Sequence, residues 1–81
     1  MELERITVDP KIMHGRPCIR GMRITVGLVL NLLANGMTET EIFRNYPSLE
    51  PEDIRQCLHY ASSLADGSVV PFTGGTLAVS R

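Results

Sequence analysis

Thr38-Glu39-Thr40-Glu41-Ile42-Phe43-Arg44-Asn45-Tyr46-Pro47-Ser48-Leu49-Glu50-Pro51-Glu52-Asp53-Ile54 contains two helix starts separated by one stop. Thr38 with Glu41 three residues on is a capping box, in which the hydroxyl takes a free N–H of the first turn and the carboxylate reaches back to the cap. Ile42 and Phe43 give this short helix its apolar side. Tyr46-Pro47 ends it, because the residue before proline avoids helical dihedrals. Pro51 suits the first turn of the next helix, where its missing N–H goes unneeded, and Glu52 and Asp53 sit where the helix dipole favours acid. Two helices joined by the short stretch 46–50 have the spacing of a helix-turn-helix unit.

Downstream, Ile54, Cys57, Leu58, Ala61, Leu64 and Ala65 fall on one face of a helix that Asp66-Gly67 closes. Upstream, Leu28, Val29, Leu32, Leu33 and Ala34 recur at helical spacing, and Asn35-Gly36 is a stop in which glycine takes the left-handed conformation. That helix is apolar nearly all round, which predicts the most buried position of the three. Earlier still the chain reads as β. Arg5-Ile6-Thr7-Val8 is a β-branched run stopped by Asp9-Pro10, and Cys18-Ile19 and Arg23-Ile24-Thr25-Val26 flank a reversal at Arg20-Gly21-Met22. The expected fold is therefore mostly α: an N-terminal β arm with a hairpin over residues 1–26 and a three-helix body over 27–66. The expected core is Ile19, Ile24, Val26, Leu28, Val29, Leu32, Leu33, Ile42, Phe43, Ile54, Leu58, Ala61 and Leu64. In the C-terminal tail, residues 67–81, Ser68-Val69-Val70 and Thr76-Leu77-Ala78-Val79 read equally as paired strands or as a segment that orders on a partner.

With 81 residues, 43% apolar and 21% charged, the composition is that of one ordinary globular domain. A domain of this size hides only about 60% of its unfolded surface, so it gains from a second subunit, and a homodimer is expected. No apolar run approaches the roughly 18 residues of a membrane span. The charged start Met1-Glu2-Leu3-Glu4-Arg5 is not a secretory signal, so Cys18 and Cys57 read as reduced thiols of a cytoplasmic protein. The net charge of −1 conceals an asymmetry. Arg5, Lys11, Arg16, Arg20 and Arg23 make the first third basic, whereas residues 36–66 are acidic. This is not the strongly basic footprint of a non-specific nucleic-acid binder.

The chemistry-bearing residues point to binding rather than catalysis. His14, Cys18, Cys57 and His59 are potential metal ligands, but Cys57 and His59 diverge on a helix and no C-x-x-C or H-x-x-x-H pair exists, so no metal is expected. Asp9, His14 and Cys18 can be imagined as a nucleophilic group, yet nothing supplies an oxyanion hole, so no enzyme is expected. No Gly-rich phosphate loop joins a strand to a helix, and no cofactor is expected. Arg16, Arg20 and Arg23 cluster on the hairpin, and guanidinium forks suit carboxylates, phosphates and guanine edges. The third helix is expected to expose Arg55, Gln56, His59 and Ser63. These are candidate contacts to nucleic acid or to a protein partner, although the first-turn acids Glu50, Glu52 and Asp53 would oppose phosphates.

The order of these clusters resembles a known family. Ile6-Thr7-Val8-Asp9-Pro10, Gly15-Arg16-Pro17-Cys18-Ile19-Arg20-Gly21-Met22-Arg23-Ile24-Thr25-Val26, Leu33-Ala34-Asn35-Gly36-Met37-Thr38, Glu41-Ile42, Tyr46-Pro47-Ser48-Leu49, Glu52-Asp53-Ile54 and Tyr60-Ala61 are similar, in register, to the signature of the domain-of-unknown-function family numbered 433. The resemblance implies a homeodomain-like three-helix body. It also implies a place among prokaryotic antitoxin-like proteins of the VapB type, often encoded beside a PIN-like nuclease toxin. The expected role is then to neutralise that nuclease, with arginines pairing to its metal-binding carboxylates, and to bind the cognate operator DNA. The alternative is a stand-alone DNA-binding transcriptional regulator. Two positions depart from the pattern. Met22 stands where a threonine is usual, and Glu50 stands where a capping Ser or Thr is usual.

Overall fold

The computed structural model describes residues 3–67. Strand β1 (Ile6–Thr7) pairs antiparallel with β2 (Cys18–Ile19), and three helices follow: α1 (Val26–Ala34), α2 (Glu39–Asn45) and α3 (Pro51–Gly67). The architecture is mostly helical, with a small β arm at its N-terminal side. Residues 68–81, which hold both candidate tail strands, lie outside the described residues.

The arm is built by left-handed residues. Arg20 (φ 49°) and Gly21 (φ 70°) both have positive φ, the sign pattern of a type I′ reversal, and the Met22 N–H donates to the Ile19 carbonyl across it at 2.8 Å. The hairpin is present but short. The Ile19 N–H donates to the Ile24 carbonyl at 3.0 Å, and one bridge joins Cys18 to Thr25. The longer pairing joins β1 and β2, with Ile6 opposite Ile19 and Thr7 opposite Cys18. Chain 23–26 leaves the ladder early because Thr25 caps α1, its hydroxyl accepting from the Leu28 N–H at 3.0 Å.

Each helix boundary has a local cause. At the end of α1 the Gly36 N–H bonds the Leu33 carbonyl and the Met37 N–H bonds the Leu32 carbonyl, with Gly36 at φ 90°. These are the two bonds of a Schellman motif. The capping box of α2 forms in both directions, with the Glu41 N–H on Thr38 Oγ1 at 3.2 Å and the Thr38 N–H on Glu41 Oε1 at 2.9 Å. The Thr38 N–H, and after it the Thr38 hydroxyl donating to the same Glu41 Oε1 at 3.1 Å, hold the Glu41 carboxyl below its ordinary range. At α3, Glu50 offers no capping hydroxyl. Asp53 substitutes from the third position, its Oδ2 accepting from the Glu50 N–H at 2.8 Å.

Ile19, Val26, Val29, Ile42, Leu49, Ile54 and Cys57 form the buried cluster. One strand residue and all three helices contribute, so arm and body share a core. Each fully buried aliphatic side chain here contributes roughly 1.5–3 kcal/mol. Leu49, in the α2–α3 connection, is a core member that its position in a turn concealed. Three expectations are corrected. Helix α1 is not the most buried, since only Val26 and Val29 are buried and Leu28, Leu30, Leu32 and Leu33 are half-buried. An 81-residue chain has too few layers to cover every face of an all-apolar helix. Leu58 and Leu64 are 48% and 42% exposed. The α3 stripe is continuous, but α3 is 17 residues long and, among the described residues, the elements packed on it reach only its first half.

Candidate functional site

Register decides what the arginines do. With Ile6 opposite Ile19, Arg5 comes opposite Arg20, and the Arg20 N–H donates to the Arg5 carbonyl at 2.8 Å. Like charges facing each other across a ladder repel. The Asp53 carboxylate, with no exposed surface, lies between them. Its Oδ1 accepts from Arg5 Nη1 at 3.0 Å and from Arg20 Nε at 3.1 Å, and its Oδ2 accepts from Arg20 Nη2 at 2.8 Å. Arg5 Nη1 also reaches Glu50 Oε1 at 2.7 Å, and Arg20 Nη2 donates to the Ser48 carbonyl. Burial alone would push the Asp53 carboxyl up. Hydrogen bonds from Arg20, from the Glu50 N–H and from Arg5 outweigh it and hold the carboxyl below its ordinary range. The hydrogen bonds that Arg5 donates to Glu50 and Asp53 raise its guanidinium, and those that Arg20 donates to Asp53 raise that of Arg20. Every lone-pair direction of a buried carboxylate is used, as burying a charge requires.

Gln56 belongs to this same network. It is 2% exposed, its Oε1 accepts from the Arg5 N–H at 3.0 Å, and its Nε2 donates to Glu52 Oε2 at 3.2 Å. The expectation that α3 presents Gln56 outward is therefore corrected. Gln56 sits on the side of α3 that faces the arm, where a buried amide satisfies backbone that the two-residue strands leave unpaired. Arg20 stays exposed, but its guanidinium is engaged by Asp53 and the Ser48 carbonyl. Sequence reasoning missed Arg5 and Asp53 as a site. The available signal was the facing of two arginines across the arm, which demands a carboxylate from elsewhere.

Arg16 and Arg23 are placed differently. Both are exposed and line one open groove of about 530 Å³ with Met13, Pro17, Thr25, Gly27, Leu28 and Asn31. Positive φ at Met13, His14 and Gly15 turns the chain so that Arg16 and Pro17 enter β2 beside the start of α1. Among the described residues neither guanidinium has an acidic partner. The groove is thus an apolar floor between two exposed cations.

Arg55 and His59 form a third setting. They share a shallow hollow on α3 with Leu58 and Ser62, and His59 also faces Leu3, Ser62 and Ser63. Arg55 Nε lies 3.5 Å from Glu52 Oε1 across one helical turn. The six predicted contact residues therefore divide into a groove pair (Arg16, Arg23), a helix-surface pair (Arg55, His59) and two that the Asp53 network engages, the exposed Arg20 and the buried Gln56.

Among the described residues no three His, Cys, Asp or Glu side chains converge on a point that would hold a metal ion. Cys18 and Cys57 are free and buried, and burial, aided by the Asp53 charge, pushes the Cys57 thiol up to about 11. A thiol held protonated in a core is a small hydrophobe rather than a nucleophile. No helix among the described residues is long and apolar enough to cross a membrane.

Comparison with known proteins bears on the whole of this architecture. No curated protein matches the chain. A crystal structure of a DUF433 member protein from Anabaena variabilis ATCC 29413, at 2.00 Å resolution, shares the fold with a TM-score of 0.71 and 29% sequence identity. The match covers 76% of this chain, which spans 61% of the length of that one. Residues 6–61, from β1 through the buried part of α3, match the family described as protein of unknown function (DUF433), and the chain belongs to that family.

Proposed function

We propose that the protein is an antitoxin-like, non-catalytic binding module that neutralises a cognate PIN-like nuclease in the cytoplasm. The observation that carries this reading is the groove at the start of α1. It holds the two arm arginines that the fold does not consume, Arg16 and Arg23, over an apolar floor that includes Leu28. A nuclease centre is a cluster of metal-binding carboxylates, and guanidinium–carboxylate pairs beside apolar contact give both charge-assisted bonds and desolvation. The test is co-expression with the nuclease of the adjacent gene. Growth rescue and co-purification by the wild type, both lost in Arg16→Ala/Arg23→Ala, support the reading. Failure of the wild type to bind or protect contradicts it.

A second activity, binding of the cognate operator, has its own support. The acidic first turn of α3 was the main objection to placing that helix against phosphates. Glu50 and Asp53 are paired with Arg5 and Arg20, and Glu52 with Arg55 and Gln56, so the turn carries little uncompensated charge. Helix α3, second of the helix-turn-helix pair, would then offer Arg55 and His59 to the duplex. Salt-dependent retention of upstream DNA, weakened by Arg55→Ala and untouched by Arg16→Ala, distinguishes this surface from the groove. A stand-alone regulator would bind that DNA and ignore the nuclease.

A further inference from the structure

The apolar stripe of α3 changes environment partway along. Ile54 and Cys57 are 1% and 0% exposed, whereas Leu58 and Leu64 on the same stripe are 48% and 42% exposed, with Ala61 half-buried between them. Neither leucine packs on the core cluster. One helix thus carries a core-like face about 14 Å long, from Leu58 to Gly67, beyond the described elements that cover its start.

Two occupants of different size are available. The face is on the order of 150 Å², from that length and a side-chain width of about 10 Å, against roughly 800 Å² per partner in a stable interface. It is too small to hold a second copy by itself. The chain's own continuation suits it better. Residues 68–81 begin where the face ends and carry Val69, Val70, Phe72, Leu77 and Val79 with no acidic residue. The return from Gly67 to Leu58 is about 14 Å, which four to five extended residues cover. That length brings Val69, Val70 and Phe72 into reach of Leu64, Ala61 and Leu58. A segment tethered at the edge of its site docks with little loop-closure cost.

We propose that the segment after Gly67 docks in cis on the distal face of α3, with Val69, Val70 and Phe72 covering Leu64, Ala61 and Leu58. The site is separate from the arginine groove, so it stands or falls independently of the nuclease reading.

Phe72 is one of two phenylalanines, which makes its ring signals separable in the full-length protein. Nuclear Overhauser contacts from the Phe72 ring to the Leu58 and Leu64 methyls, within an isotope-labelled chain mixed with unlabelled chain, are the expected result. Leu64→Asp should move the Phe72 ring signals to unstructured positions and speed chymotryptic cleavage at Phe72 about tenfold. Phe72→Ser should shift the Leu58 and Leu64 methyls and leave those of Val29 and Ile42 in place, which controls for misfolding. Absence of the contacts overturns the proposal. So do contacts found only between labelled and unlabelled chains, which would assign the face to a second copy, and so does an unchanged Phe72 environment in Leu64→Asp.

Discussion

Arg5 and Arg20 lie in the same arm as Arg16 and Arg23, yet the two pairs have opposite fates. The first pair is brought face to face by strand register and clamped on Asp53. The second pair flanks an open groove with no acidic partner among the described residues. Residue type and sequence neighbourhood are the same in both. What differs is the direction that the ladder and the reversal at Arg20-Gly21 give each side chain. Clustered arginines in a sequence are therefore not one surface. Here half of them hold the arm to the helix and half stay exposed with no acidic partner among the described residues.

The strongest way to break this contrast is to remove the internal anion. Asp53→Asn should cost about 3 kcal/mol at neutral pH, because two guanidiniums would face each other without their carboxylate. That is the low end for a buried pair, since both guanidiniums retain some contact with water. Urea unfolding measures it. The pH dependence sharpens the test. The folded Asp53 carboxyl is held below its unfolded value, which is about 3.9. Its contribution is present above that unfolded value and is lost as pH falls through the folded one. Stability curves of wild type and Asp53→Asn should therefore converge below about pH 4. Glu41, also held low, is common to both proteins and cancels in the difference.

A smaller effect is expected at the reversal that separates Arg20 from Arg23. Gly21 has φ 70°, and a Cβ there would meet no neighbouring atom within 4 Å, so Gly21→Ala is a purely conformational change. It should cost about 1 kcal/mol in the same unfolding experiment. A cost near zero would mean that the reversal does not set the arginine directions.

The helices were legible in the sequence because their signals are local. Thr38 with Glu41, Tyr46-Pro47, Pro51 and Asn35-Gly36 each act within one turn, and each lies where it was expected to act. The reversal at Arg20-Gly21 was legible for the same reason. The Asp53 network was not, because it depends on a register that brings Arg5 across to Arg20 over 15 positions and on a carboxylate 33 positions further on. Asp53 was explicable as a dipole-favoured acid, and that local account concealed its partners. Gln56 was misplaced because a polar residue on a helix is usually solvated. Leu58 and Leu64 were misplaced because periodicity reports which face is apolar and not how far the rest of the chain extends to cover it.

The most direct measurement is a paired one on the Arg16→Ala/Arg23→Ala and Arg20→Ala proteins: the urea midpoint of each, and its binding to the proposed cognate nuclease. The account predicts that Arg16→Ala/Arg23→Ala unfolds within about 0.5 kcal/mol of wild type and loses the nuclease, while Arg20→Ala has a clearly lowered midpoint and, where folded, still binds. A groove variant that binds as tightly as wild type, or that unfolds as readily as Arg20→Ala, would contradict it.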